Sequence, residues 1–582
     1  MLAALVLFLA AVTAHQEEPI VETELGNVRG STRLSRNGRN YFSFTGIPYA
    51  RPPLGELRFK SPQKLEPWTG ILDATQDASH CIQKNYLFGN PRVEGQEDCL
   101  YLNVFTPQIR PKRNVDRSEL LPVMVFIHWG GFFAGYSSTD YLGPEYFMDQ
   151  NVVLVTFNYR LGVMGFLSTN DDAAPGNYGL KDQVAVLNWV KANVKHFGGN
   201  SNSVTIFGQS AGGASVHYHM LSPLSKNLFH RAISQSGTAF ALWASPVKKE
   251  QLLITKYQSK LVGCNINGTN TEMITCLREV KADVLVDSND MFKLFSIDPL
   301  NVYVPSVETM TKNNPDPFIT KTPKEYVENG DFRNVPWIIG LVQNEGLIRA
   351  EALIRQSQTR TELSKRFDVL MPLLAAFKMS VFDKDIPEIW PKVRRYYFQN
   401  GAVDFNKTEH VQGLIDLYTD RAFAYSSYQA ALYHKYFNHK DIWFYNFDYK
   451  GTFSYGEPFA GTNETFPYQW GVSHCDELVY LFKSPALFNK NLYGHDLRMS
   501  ESLVWFWTNF ATLGTPKSAW LKLDNFENST DKNLRYMNMG GCKIAGPKYK
   551  MKLGLHKDRM QFWENIKLFE NLKVLNESVY DL

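Results

Sequence analysis

Apolar residues run unbroken in short blocks along this chain, each closed by a polar or glycine-rich turn. The blocks are Val123–Ile127, Val152–Phe157, Val204–Phe207, Ala232–Ile233, Trp337–Val342 and Ile442–Phe447. A half-solvated strand would alternate apolar with polar. Continuous runs predict strands buried on both faces, as in a parallel sheet covered by helices. Helical spacing lies between them: Asp182–Val194 repeats apolar residues three and four apart and stops before Phe197-Gly198-Gly199. Alternating strands and helices predict a doubly wound α/β fold, a mostly parallel sheet with helices on both faces. In such sheets the chemistry gathers beyond the carboxyl ends of the strands.

Length and composition support that picture. The 582 residues are 44% hydrophobic and 14% aromatic, enough for a large buried core and unlike a disordered or collagen-like polymer. Charges of both signs are mixed along the chain and sum to +3, which points to no nucleic-acid partner. No repeat or linker divides the sequence, so one domain is expected over residues 15–582. Residues 1–14 are almost wholly apolar and end in small residues, too short to span a bilayer; they read as a secretory signal peptide rather than a buried strand. No other stretch suits a membrane helix or lipid anchor, and a secreted, extracellular protein is expected. Five glycosylation acceptors, Asn267, Asn406, Asn463, Asn528 and Asn576, agree with this. Among six cysteines, Cys81 with Cys99 and Cys264 with Cys276 would close short disulfide loops, leaving Cys475 and Cys542 over.

The strongest chemical signal follows the run Val204–Phe207: Gly208-Gln209-Ser210-Ala211-Gly212, with a helix expected from Ala214. A serine on so tight a strand-to-helix turn admits only small residues two before and two after it, and its hydroxyl stands exposed above the sheet. The helix start also aims N–H groups and a positive dipole end at developing negative charge. Ser210 is therefore expected to be a nucleophile rather than an ordinary helix-start serine.

Here the sequence resembles the type-B carboxylesterase family, an α/β-hydrolase family. The run from Phe197-Gly198-Gly199-Asn200 to Ser210-Ala211-Gly212 fits one signature of that family, and Glu97-Asp98-Cys99-Leu100-Tyr101-Leu102-Asn103-Val104 fits another. Further matches run from Gly46-Ile47-Pro48-Tyr49-Ala50 to Gly471 and His474, nearly the whole mature chain. The resemblance implies Glu345, in Asn344-Glu345-Gly346, as the catalytic acid and His474 as the base. The chain order serine, acid, histidine agrees, and Glu345 stands just past a predicted strand. Among the remaining histidines His495 is the best rival for the base. His217 and His219 lie two apart on a predicted helix, so they face different ways and read as structural. Arg58 with Glu97, and Arg160 with Asp182, resemble buried ion pairs of the family.

By the same resemblance, N–H groups of Gly130, Gly131 and Ala211 would bind the oxygen of a tetrahedral intermediate. Losing one such donor typically costs about 3 kcal/mol. The family usually has glycine where this chain has Trp129, and a positive φ there would strain it by about 1–2 kcal/mol. Trp129 and Trp243, the latter resembling an acyl-pocket aromatic of insect carboxylesterases, are the expected substrate-binding residues. The position that holds a choline-binding tryptophan in cholinesterases is Gly89 here, which argues against that substrate. The expected function is hydrolysis of lipophilic carboxylic esters without metal or organic cofactor. Gln209, Arg58-Phe59 and Gly471-x-x-His474-x-x-Glu477 also match motifs of juvenile hormone esterases, the alternative substrate reading. The alternative class is a non-catalytic, esterase-like adhesion protein.

Overall fold

The computed structural model describes residues 18–109, 120–245, 248–376, 383–437, 439, 441–516, 520–523, 533–568 and 571. Its centre is an eleven-stranded sheet. In chain order the strands are β1 (Ser31–Leu34), β2 (Asn40–Pro48), β3 (Tyr101–Thr106), β4 (Leu121–Ile127), β5 (Val153–Phe157), β6 (Gly199–Gln209), β7 (Arg231–Gln235), β8 (Trp337–Val342), β9 (Ile442–Lys450), β10 (Arg535–Cys542) and β11 (Gly546–Leu553). They lie side by side as β1-β2-β3-β5-β4-β6-β7-β8-β9-β10-β11. All pairings from β5 through β10 are parallel, and the flanking ones are antiparallel. Every apolar run singled out in the sequence coincides with one of these parallel strands.

Side-chain alternation splits the parallel strands between two cores. Val123, Val125 and Ile127 of β4, with Trp337, Ile339 and Leu341 of β8, point into one core. Helices α1 (Tyr178–Asn193) and α2 (Ala211–Leu221) also fill that core. Met124, Phe126, Ile338 and Val342 point into the other, against Leu503, Val504, Trp507 and Phe510 of a helix at Gly494–Leu513. Both faces are thus dry, which is why the strands carry no polar alternation. Each fully buried aliphatic side chain stabilises this arrangement by roughly 1.5–3 kcal/mol before the chain entropy is counted. Three further helices matter for the site: Leu347–Arg355, Thr408–Thr419 and Tyr425–Tyr436. In chain order these three are α3, α4 and α5, and Gly494–Leu513 is α6.

At one end the sheet finishes in β11, where Pro547 is followed by exposed Lys548, Lys550 and Lys552. The disulfides Cys81–Cys99 and Cys264–Cys276 are formed, while Cys475 is a buried free thiol and Cys542 a half-exposed one. Arg58 holds Glu97 with two bonds of 2.7 and 2.6 Å, and Arg160 holds Asp182 with bonds of 2.8 and 2.7 Å. Asn267, Asn406 and Asn463 are exposed. Asn528, Asn576 and the signal segment lie outside the described residues. Among the described residues no helix is long and apolar enough to cross a membrane.

Candidate active site

Ser210 joins β6 to α2 with φ 58° and ψ −119°, in the region L-residues rarely adopt. The turn is enforced sterically. A Cβ on Gly212 would stand 1.9 Å from the Ile127 carbonyl oxygen, and one on Gly208 would stand 2.5 Å from the Gly212 backbone. The Ser210 N–H donates to Gln235 O at 2.8 Å and its carbonyl accepts from Ala214 N–H at 2.9 Å, which fixes the elbow from both sides. Strain of this kind, held by the surrounding backbone, marks functional positions.

Glu345 lies just past the end of β8. Its Oε1 accepts the Val342 N–H at 2.8 Å, which aims Oε2 at His474 Nδ1, 2.5 Å away. Both side chains are fully buried. The loop carrying His474 is tied to the Glu345 loop by Asn344, whose N–H donates to Val472 O at 3.1 Å and whose Oδ1 accepts Val472 N–H at 3.2 Å. The Cys475 thiol donates to Gln209 Oε1 at 3.1 Å, which turns the Gln209 amide N–H toward His474 Nε2, 3.2 Å away. With Nε2 receiving a donor, the imidazole proton sits on Nδ1 against Glu345. That is the tautomer of a general base. The Phe423 ring covers the imidazole at 4.5 Å between centroids.

Phe423 belongs to a π-helical turn, Asp420–Ala424, between α4 and α5. Such turns free a carbonyl from the helix ladder, and here Ala422 O accepts the Trp243 indole N–H at 2.6 Å. Ser210, His474, Gly130, Gly131, Trp129 and Trp243 all line one cavity of about 620 Å³, otherwise walled mainly by aliphatic and aromatic side chains. The N–H groups of Gly130 and Gly131 donate to no hydrogen-bond acceptor among the described residues. Both glycines have positive φ, 105° and 59°, and a Cβ on Gly130 would stand 2.0 Å from Ala134 O. Ala211 opens α2 directly after Ser210 and is itself buried behind the cavity wall.

Trp129 is not among the residues of positive φ, so no backbone strain attends it. Its ring is buried against Phe88, Tyr136 and Tyr455 and forms part of the cavity wall. His495 sits on α6 beside Gly546, away from the cavity.

His217 and His219 point apart, as expected of residues two apart on a helix. His219 binds Ser225 Oγ and Gln183 Oε1 at 2.7 and 2.9 Å. His217 opens a chain of three buried imidazoles that the sequence did not suggest. The Ala239 N–H donates to His217 Nδ1 at 3.1 Å, so the His217 proton is on Nε2, 2.8 Å from His434 Nε2. His434 then donates from Nδ1 to His439 Nδ1 at 3.1 Å, and His439 Nε2–H ends the chain on Val335 O at 2.5 Å. Every ring nitrogen is satisfied only if all three rings are neutral. Burial pushes His217 down to about 3 and His439 down to about 4, and lowers His434 well below its ordinary value.

Buried carboxyls near the site shift the other way. Burial raises Glu477 to about 8, reinforced by the charge of Glu345, and raises Asp476 to about 7.

A two-faced, mostly parallel sheet with a strained serine at a strand-to-helix elbow, and a buried carboxylate–histidine pair opening into the same cavity, defines an α/β-hydrolase. The Carboxylesterase family profile matches residues 17–563, and the chain belongs to that family. It is 46% identical over 568 residues to juvenile hormone esterase of Tribolium castaneum, covering 95% of this chain and 94% of that protein. It is 36% identical to venom carboxylesterase-6 of Apis mellifera, with 96% of each chain covered. Among solved structures, juvenile hormone esterase from Manduca sexta with OTFP covalently attached superposes with a TM-score of 0.80 at 31% identity, covering 94% of this chain and 99% of that one. The protein is a carboxylic ester hydrolase, not the non-catalytic adhesion protein considered as the alternative class.

Proposed function

We propose that Ser210, His474 and Glu345 carry out this hydrolysis as nucleophile, base and acid. The observation that carries the assignment is the 2.5 Å contact of Glu345 with His474 Nδ1 at one cavity shared with the strained Ser210. His474 Nε2 exchanges its Gln209 contact for the Ser210 hydroxyl as that oxygen attacks the ester carbonyl. The imidazolium so formed faces Glu345, whose carboxylate stabilises it without taking its proton. The carbonyl oxygen becomes an oxyanion against the free N–H groups of Gly130 and Gly131 and the helix-start N–H of Ala211. His474 returns the proton to the departing alcohol, and water activated at the same nitrogen cleaves the acyl-Ser210 ester.

The apolar wall supports lipophilic esters as substrates, with Trp129 and Trp243 as contacts. The identity to a juvenile hormone esterase favours a second, narrower reading, an ester of that hormone type. The exposure of Asn267, Asn406 and Asn463 supports a secreted glycoprotein processed after residue 14. The test is intact-mass analysis of secreted protein after an organophosphate and after a short aryl ester. Expected are turnover, a phosphoryl adduct on Ser210, an N-terminus at residue 15 and a mass drop on deglycosylation. Folded protein with neither turnover nor adduct would overturn the triad assignment.

A further inference from the structure

The loop that carries Gly130 and Gly131 is pinned unevenly. Gly130 O accepts the N–H groups of Phe133 and Ala134 at 3.0 and 2.9 Å, and Phe132 O accepts the Gly162 N–H at 2.7 Å. Between these two fixed peptides lies the one joining Gly131 to Phe132. It is the middle of a turn whose two central residues, Gly131 and Phe132, have positive φ, 59° and 66°. Among the described residues no backbone N–H holds its carbonyl. Gly131 O is held instead by the Asn301 side chain, whose Nδ2 donates to it at 2.5 Å and reaches Trp243 O at 3.4 Å. Both of these neighbours are acceptors, which fixes the amide with its nitrogen toward them. Asn301 sits on a firm mount: Val302 and Tyr303 beside it are buried, and Lys293 Nζ donates to Pro299 O at 2.7 Å and to Leu300 O at 3.4 Å. It is half-buried and lines the cavity with Gly130, Gly131, Ser210 and Trp243.

The tie matters because the turn gains by rotating that peptide. Positive φ at both central residues is the I′ form; a half-turn of the middle peptide gives the II′ form, in which only the first residue keeps positive φ. Gly131 carries a positive φ freely in either form, whereas Phe132 has a side chain and is relieved by the rotation. The half-turn would exchange the places of Gly131 O and the Phe132 N–H, and it pivots on the residue that bears one of the two free N–H donors. Such donors accelerate a reaction only if they are aimed before it begins. We propose that Asn301 is the positioning residue of this loop: by holding Gly131 O it opposes the rotation and keeps the Gly130 and Gly131 N–H groups aimed at the substrate's carbonyl oxygen. The proposal rests on the Ser210 esterase reading, with those two glycines as donors. The contact of the same amide with Trp243 O extends the frame. Trp243 in turn holds Ala422 O, next to the Phe423 ring that covers His474, so the donors and the base are mounted together.

The test uses the secreted protein with Asn301→Asp, which keeps the size but presents only acceptors, and with Asn301→Leu and Asn301→Ala, which present no polar group. Active sites are counted by organophosphate titration taken to its end point, and folding is followed by circular dichroism. Two ketones of matched length are compared as inhibitors. A trifluoromethyl ketone adds to the serine and develops an oxyanion, while its methyl counterpart binds without adding. Each variant should lower kcat per titrated site on the order of tenfold at nearly constant KM. It should weaken the trifluoromethyl ketone by the same factor and leave the methyl ketone unmoved. Any one folded variant with titratable sites carries the comparison. A fall in which both ketones weaken alike, or loss of the fold in all three variants, would make Asn301 part of the pocket's architecture and overturn the proposal. Variants indistinguishable from the unaltered protein would overturn it too, and in each of these cases the esterase reading would stand. Failure of the unaltered protein to turn over any ester, with Ser210 unlabelled, would overturn that reading and the role of Asn301 with it.

Discussion

Replacing His434 with phenylalanine, close in shape but without ring nitrogens, should destabilise the protein by an amount that depends on pH. The substitution strands two buried groups, the His217 Nε2–H donor and the His439 Nδ1 acceptor. Each unpaired buried group costs about 1–3 kcal/mol, so the loss at pH 8 should be about 2–6 kcal/mol. The pH term follows from the lowered folded-state value of His434, caused first by burial and then by the neighbouring rings. A histidine held neutral in the fold gains a proton on unfolding once pH falls below its ordinary value near 6.5. Its contribution to stability is therefore complete above that pH and declines as pH falls, by about 1.4 kcal/mol per unit. Between pH 6.5 and 5 the unaltered protein loses about 2 kcal/mol at this residue that the variant does not. The raised carboxyls Asp420, Asp476 and Glu477 work in the opposite direction. They are protonated in the fold and ionised in the unfolded chain over this range, but they are common to both proteins and cancel in the difference. The assay is guanidinium unfolding followed by tryptophan fluorescence at pH 8, 6.5 and 5, comparing midpoints at equal slopes. The variant's penalty should shrink by about 2 kcal/mol from pH 8 to pH 5. A penalty below about 1 kcal/mol at pH 8, or one that does not change with pH, would refute the neutral three-ring chain.

Four other outcomes are expected. Glu345→Gln keeps the shape but favours the wrong imidazole tautomer, and kcat should fall on the order of 10⁴-fold with the fold intact by circular dichroism. Gln209→Glu sets a carboxylate where an N–H now faces His474 Nε2, so the acid limb of the kcat/KM profile should move to higher pH; an unmoved limb would show that Gln209 does not address the imidazole. Trp129→Ala removes a buried ring from the cavity wall, and melting should reveal a loss of about 3–5 kcal/mol while bulky esters gain relative to small ones. Asp182→Asn leaves Arg160 buried beside a neutral amide, with an expected cost of about 3–5 kcal/mol in denaturant unfolding.

The parallel strands were legible because burial on both faces writes an uninterrupted apolar run, and α1 because its spacing is helical over many residues. The elbow was legible for a local reason: Gly208 and Gly212 have no room for a side chain, so the turn and its glycines are one constraint. Glu345 and His474 were singled out by the family resemblance: a glutamate past a strand end reads by itself as a solvated turn carboxylate, and His474 carries no periodic signal. Phe423 and Asn301 could not be read at all. One sits on a helical turn and the other on an irregular stretch, and they reach the cavity through packing between segments far apart in the chain. The same distance hid His434 and His439 from His217. The strain anticipated at Trp129 depended on a backbone angle that sequence does not encode, and the chain there runs with an ordinary φ. The antiparallel strands at the sheet margins were missed because they are short or polar on one side.

One of those margins bears on how the molecule behaves in company. The outer side of β11 offers unpaired backbone groups, which in a flat apolar strand would invite a second chain to add on. Pro547 withholds a donor at the start of that edge. Lys548, Lys550 and Lys552 repeat every second residue, so their like charges would be brought together wherever two such strands tried to align. On this side the eleven-stranded sheet therefore ends in a boundary that disfavours edge-to-edge pairing with a second chain.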